Sequence, residues 1–201
     1  MKKGSEVRKA DYPIDRLFLD RWSARAMAGE PIDERELMTL FEAARWAPSS
    51  YNNQPWRILY ARRDTQHWPL FFNLMAEYNQ SWTKSAAVLL VFISKNTFDH
   101  NGKPSITHSF DTGAAWENLA LQATLKGYVV HGMQGFDYER ARRDLGIPEG
   151  FTVEAMAAIG KPAPLDVLSR ELQAREKPSE RRKLADTICE GPFHFGSAGP
   201  R

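Results

Sequence analysis

Helices and strands that alternate outside a regular strand–helix–strand series are what this sequence predicts, and three observations predict it. A helical pattern precedes the first strand pattern. The most apolar run, "AAVLLVFI" at 86–93, has the length and β-branched content of a strand covered on both faces. The strongest helical pattern, 109–126, falls between that strand and two later ones, so helices and strands are interspersed, and it is the helix-first opening that does not fit a regular βαβ series.

In chain order, the first helix is signalled by Asp33 as N-cap and Glu36 three positions on, a capping box, with Leu37, Leu40, Phe41 and Ala44 at helical spacing and Pro48 as the stop. "WRILYAR" then alternates, placing Trp56, Ile58 and Tyr60 on one face of a strand. Residues 65–80 read as an aromatic-rich helix. After the buried strand, 96–105 is loop, and the helix over 109–126 ends at Gly127 in the C-cap position. "YVVHGM" predicts a strand, "DYERARRDLG" a helix, and "FTVEAMAAIGK" a last strand. The tail from 162 onward is rich in Pro, Gly and charge, with one short amphipathic piece at 182–188. It has too few apolar residues to fold by itself, so it is expected to lie across its own domain or a partner.

A length of 201 residues suits one domain over 1–201. The net charge of +2 gives no global footprint for nucleic acid or an anionic membrane, so an anionic partner must meet a local cluster. One cysteine, Cys189, excludes a disulfide framework within the chain and makes a cytoplasmic setting the expectation. "MKKGSEVRKADYPIDR" has charge but no following apolar run, so no signal peptide is expected there, and the 86–93 run is too short to span a bilayer.

The usual constellations of hydrolysis and metal catalysis are missing. The five histidines (67, 100, 108, 131, 194) never pair at metal-ligand spacing, and no GxSxG, P-loop or GxGxxG occurs. What stands out instead suits an anion and a heterocycle. "DRWSARAM" places Arg21, Ser23 and Arg25 at alternating positions, which if extended would aim two guanidiniums and a hydroxyl the same way, as a phosphate or another planar, acceptor-rich group requires. A solvated charged stretch paired to Asp20 or Glu30 accounts for the same residues. "PSSYNNQPW" offers Ser49, Ser50, Asn52, Asn53 and Gln54 between two prolines. Amides of this kind can read a ring edge of alternating donors and acceptors, whereas a turn uses only one or two of them. "HGMQGF" at 131–136 has two glycines that permit close approach of a flat ligand, or equally a bulge. "SERRK" places Arg181 and Arg182 near the end of the chain, where a basic run is usually a solvated face.

Taken in order, RxSxR (Arg21, Ser23, Arg25), PSSxNxQPW (Pro48, Ser49, Ser50, Asn52, Gln54, Pro55, Trp56), the central-helix segment "DTGAAWENLALQATLKGY", a glycine–phenylalanine turn and a basic C-terminal stretch resemble the FMN-dependent nitroreductase family over about 14–190. The resemblance implies an α+β fold with a central mixed β-sheet flanked by helices. It further implies an extended C-terminal tail crossing the interface of a homodimer that carries two FMN sites. It implies ping-pong hydride transfer from NADH or NADPH through FMN to a nitroaromatic, quinone or similar small-molecule acceptor, with no catalytic side chain because the cofactor carries the chemistry. By the same resemblance, Arg21 and Ser23 match phosphate contacts, and Arg25 the basic residue near the ring's N1–O2 edge. Asn52 matches a group at the pyrimidine side. Ser49, Ser50 and Gln54 belong to the same motif, partly across the dimer. Gln134 and Gly135 match the pair near O4 and N5, and Arg181, with Arg182 as rival, matches a C-terminal phosphate ligand. "GKPAP" departs from the family's glycine–tyrosine–proline, which leaves the C-terminal contact least fixed. Trp22, Trp82 and Trp116 lie outside the motif and read as core, with Trp82 or Phe98 as the alternative cover for an open flavin face. Another reductive specialisation (dehalogenation or ene reduction) and a flavin-storing protein without turnover remain the other readings.

Overall fold

The computed structural model describes residues 3–195. Its centre is a four-stranded sheet in the order β1-β2-β4-β3, formed by β1 (Trp56–Arg62), β2 (Val88–Lys95), β3 (Val129–Met133) and β4 (Phe151–Gly160). Every pairing among the described residues is antiparallel, where a mixed sheet was expected. The reason is local: each neighbouring pair in the sheet reverses direction, and no crossover helix returns the chain parallel to a neighbour.

The apolar run is the strand at the centre of this arrangement. Val88, Leu90 and Phe92 enter one core with α2 (Glu34–Arg45) and α5 (His108–Leu125), while Leu89, Val91 and Ile93 enter a second core on the opposite face. That second core holds α3 (Trp68–Phe72), α4 (Glu77–Thr83) and α6 (Tyr138–Asp144). Both faces of β2 are therefore dry, which is why its sequence does not alternate. β1 is an edge strand with Arg57 and Tyr60 exposed.

α2 starts where expected, with the Asp33 carboxylate accepting from the Arg35 and Glu36 N–H groups. The box is only half built, because Glu36 accepts instead from the Tyr128 hydroxyl at 2.6 Å and faces Lys126. α5 closes on Gly127 at φ 77°. The Tyr128 N–H reaches the Ala123 carbonyl and the Gly127 N–H the Thr124 carbonyl, a Schellman arrangement. The single helix expected over 65–80 is two short helices. The chain between them turns so that Met75 bridges Phe136, tying it to the far end of β3.

The tail does lie on its own domain in part. α7 (Arg170–Arg175), which the sequence did not signal, is seated through buried Leu168 and Leu172. The piece expected at 182–188 is only a 3-10 turn, Leu184–Asp186, with Ile188 and Phe193 exposed beyond it. Residues 196–201 of the tail lie outside the described residues.

Candidate functional site: an arginine cradle beside the sheet

Residues 21–26 do not join the sheet and turn tightly at Ser23, where the Ala24 N–H reaches the Trp22 carbonyl, yet their side chains alternate as the spacing demands. Trp22, Ala24 and Ala26 are buried in the core, and Arg21, Ser23 and Arg25 face a cavity of about 310 Å³. Glu176 fixes this geometry. Its buried carboxylate accepts the Arg25 N–H at 2.5 Å and the Ala26 N–H at 2.8 Å, and its other oxygen lies 3.6 Å from Arg25 Nη1. A charge this deep is tolerable only because it is paired and hydrogen-bonded.

Six cations line the cavity: Arg8, Arg21, Arg25, Arg175, Lys177 and Arg181. Arg21 leans on the Trp116 ring, with its guanidinium carbon 5.8 Å from the centroid, and its Nε is 3.6 Å from Glu117. Arg8 donates to the Leu19, Arg21 and Ser179 carbonyls, lashing the N-terminal segment to the tail. Burial, then the neighbouring Arg181, pushes the Arg21 guanidinium down from its ordinary value. Burial, then Arg181 and Arg21, does the same to Arg8. His131, its ring centroid 4.5 Å from that of Trp82 and tilted against it, and bonded to the Ala24 carbonyl, is pushed down to about 4 by burial, with Arg25 and Arg21 adding to the effect. Arg21 Nη1 and Arg25 Nε are buried without a hydrogen-bond partner among the described residues. Crowded like charges with unmet donors are a cradle for an acceptor-rich anionic ligand, such as a molecule that bears a phosphate.

Arg21, Ser23, Arg25 and Arg181 are thus brought together. The other expected residues are not. Asn52 and Gln54 line a separate cavity with Tyr51, Arg57, Asp99 and His100. Their loop closes on itself: the Gln54 N–H donates to Ser49 Oγ, and the Gln54 amide to the Asn52 carbonyl. Asn53 is absorbed structurally, donating to the Thr97 carbonyl and accepting from the Asp99 N–H. The Ser50 N–H donates to buried Asp111 of α5, which anchors the loop to that helix. Tyr51, Asn52 and Gln54 all have positive φ (52°, 52° and 48°), a strained backbone for Tyr51 and Gln54 that the loop's own hydrogen bonds hold in place.

Gln134 lines a third cavity, of about 440 Å³, between α5 and the β3–β4 edge. The glycines of "HGMQGF" are explained first by packing. A Cβ on Gly132 would meet Trp116 at 3.2 Å, and one on Gly135 would meet the Asn79 amide at 2.7 Å. The Gly135 carbonyl takes both the Ala76 N–H and that amide. Trp82, 1% exposed, is core and cannot cover an open face. Arg8, Arg175 and Lys177 were not legible as site residues: nothing in their spacing marks them, and only the fold gathers them.

A model of the Nitroreductase family matches residues 19–77 and 62–161, which spans both the cradle segment and the sheet. The chain belongs to the nitroreductase family. Among solved structures, an oxidoreductase containing FMN shares 51% identity with this nitroreductase-family chain, with a TM-score of 0.91 over 94% of it and 97% of that protein. A Desulfovibrio desulfuricans structure in complex with FMN shares 25% identity at a TM-score of 0.69, covering 92% of this chain and all of that one. The NADH dehydrogenase of Thermus thermophilus is 30% identical over 178 residues, 72% of this chain and 84% of that enzyme. Nitroreductase-like architecture, α+β with a helix-flanked sheet, is therefore the fold. No helix among the described residues is long and apolar enough to cross a membrane.

Proposed function

We propose that this chain is an oxidoreductase that holds FMN noncovalently and passes electrons from NADH or NADPH to a nitroaromatic, quinone or similar acceptor by a ping-pong route. The observation that carries the reading is the pair of partnerless guanidinium nitrogens, Arg21 Nη1 and Arg25 Nε, in a cavity lined by six cations. Its support from relatives is the 51% identity to an oxidoreductase containing FMN.

The FMN phosphate carries about 1.5 to 2 negative charges at neutral pH. Arg21, Ser23 and Arg181 hold it, with Arg8, Arg175 and Lys177 close enough to strengthen the field. Arg25 serves the N1–O2 edge of the ring, Asn52 the pyrimidine side, and Gln134 and Gly135 the O4 and N5 region. Ser49, Ser50 and Gln54 complete the site from the strained loop. When bound, the cofactor supplies the two-electron chemistry, so the protein's own work is binding, orientation and electrostatic tuning.

The test is direct. Purified protein is expected to be yellow, and cofactor released by acid to comigrate with FMN. FAD, or no flavin after reconstitution, would overturn the reading. Steady oxidation of NAD(P)H with a quinone separates an enzyme from a flavin store, which would bind and not turn over.

A further inference from the structure

Glu176 caps the C-terminal end of α7 and is the carboxylate that this helix delivers to the arginine cradle. Buried Leu168 and Leu172 seat the helix, so the core, and not solvent, fixes where this charge sits. The Glu176 side chain is 0% exposed, whereas that of Arg25, its ion-pair partner, is 19% exposed and lines the 310 Å³ cavity. Seen from the cavity, the acid lies behind the base.

The two oxygens of Glu176 have different jobs. Oε1 takes the N–H groups of Arg25 and Ala26, which ties the carboxylate to the same backbone that carries the guanidinium. Oε2 has no hydrogen bond among the described residues and lies 3.6 Å from Arg25 Nη1. That separation is beyond a hydrogen bond, yet close for opposite charges in a site shut off from water. Arg25 Nε is likewise buried without a partner. The guanidinium is thus drawn toward Glu176 while its donors stay free for an acceptor in the cavity. The other charged groups that line this cavity, Arg8, Arg21, Arg175, Lys177 and Arg181, are all cations. Glu176 is the carboxylate that offsets Arg25.

We propose that Glu176 is a positioning residue that sets the reduction potential of the bound flavin through Arg25. This rests on the reading above, in which Arg25 serves the N1–O2 edge of FMN. Negative charge gathers at that edge when the ring is reduced, so a cation there favours the reduced form and a nearby anion disfavours it. Glu176 acts in both senses. It holds the guanidinium in one place, and it cancels part of the field that the guanidinium casts on the ring. The bound potential is therefore lower than Arg25 alone would make it, which leaves the reduced cofactor a stronger donor to the acceptor.

Glu176→Gln isolates the charge, because the amide oxygen can still accept from the Arg25 and Ala26 N–H groups. Wild type and variant are loaded with FMN, and the potential of each is read by equilibration with a reference dye. In the variant, reduced FMN is expected to gain about tenfold in affinity relative to oxidised FMN, a rise of about 30 mV for a two-electron couple. Reduction by NADH should become faster and reoxidation by benzoquinone slower. A purely structural role would weaken both redox forms of FMN alike and leave the potential unmoved. If Glu176→Gln does not fold, Glu176→Asp keeps the charge but draws it back by one methylene, and should raise the potential in the same direction by less. An FMN-loaded variant with an unchanged or lower potential would overturn the proposal. Wild-type protein that binds no FMN would instead overturn the reading it rests on, and the proposal with it.

Discussion

Arg21 and Arg25 line one cavity from the same short segment, yet their surroundings differ enough to separate their roles. Arg21 has a buried, partnerless Nη1 and a long 3.6 Å approach to Glu117, whose carboxyl is pushed up by burial. Arg21→Ala is expected to weaken FMN binding by about 1.5–3 kcal/mol, the range for a hydrogen bond to a charged group, while saturated enzyme keeps its potential. Arg25 sits against buried Glu176. Removing it deletes a cation from the proposed N1–O2 edge and leaves that carboxylate uncompensated, so Arg25→Ala should make the bound potential more negative and slow reduction by nicotinamide. Equal losses of affinity with no change in potential would show both arginines to be phosphate ligands. His131 adds a pH dependence. Its folded value of about 4 lies below the ordinary 6.5, so the unfolded chain binds the proton first. Stability is therefore complete above about 6.5 and lost as pH falls toward 4, by about 1–3 kcal/mol with allowance for the ring's cavity side. A bound phosphate offsets Arg21 and Arg25 and raises His131 again, so acid unfolding of FMN-loaded protein should come at lower pH than that of cofactor-free protein.

Elements differ in how openly the sequence declares them. β2 and α5 were legible because each follows one local rule, a continuous apolar run or a capped 3.6-residue period, and tertiary packing agrees with it. The cap can be tested by itself. Gly127→Ala places a side chain at φ 77° and should destabilise by roughly 1–2 kcal/mol without altering flavin content, read as a lower urea midpoint. α7 was not legible, since its anchoring by Leu168, Leu172 and Glu176 depends on partners more than a hundred residues away, such as the Arg25 and Ala26 N–H groups. β4 carries a bulge at Glu154, and it was hidden for a related reason. "FTVEAMAAIG" reads as an even strand, and only its pairing with β2 shows the extra residue. The Arg21, Ser23 and Arg25 face was readable because period-two alternation needs no sheet, whereas Arg8, Arg175 and Lys177 join it only through the tail's path.

At the scale of the molecule, the ten residues that the family motifs mark fall into three places within one chain: the arginine cradle, the 49–54 loop, and Gln134–Gly135 beside α5. A second copy that supplies one of the three parts would let a single flavin be ringed by all of them. The loop is the part most suited to reach outward. It is strained, it is tied to the first turn of α5 through Ser50 and Asp111, and its neighbourhood exposes Tyr51 (82%), Ile106 (91%) and Phe110 (80%). Large apolar groups this open, on adjoining segments, suit a surface covered by a partner. A homodimer near twice 22.9 kDa is therefore expected by light scattering. The decisive experiment joins an Arg21→Ala protomer to an Asn52→Ala protomer, each carrying a different affinity tag. If the cradle and loop of one site come from different protomers, the mixed dimer has one doubly damaged site and one intact site. It should bind one FMN per dimer at wild-type affinity, although neither parental homodimer does. If both come from the same chain, the mixed dimer has two singly damaged sites and no tight site. Loss of tight binding in the mixed dimer would place the 49–54 loop over its own protomer's cradle and remove the reason for a shared site.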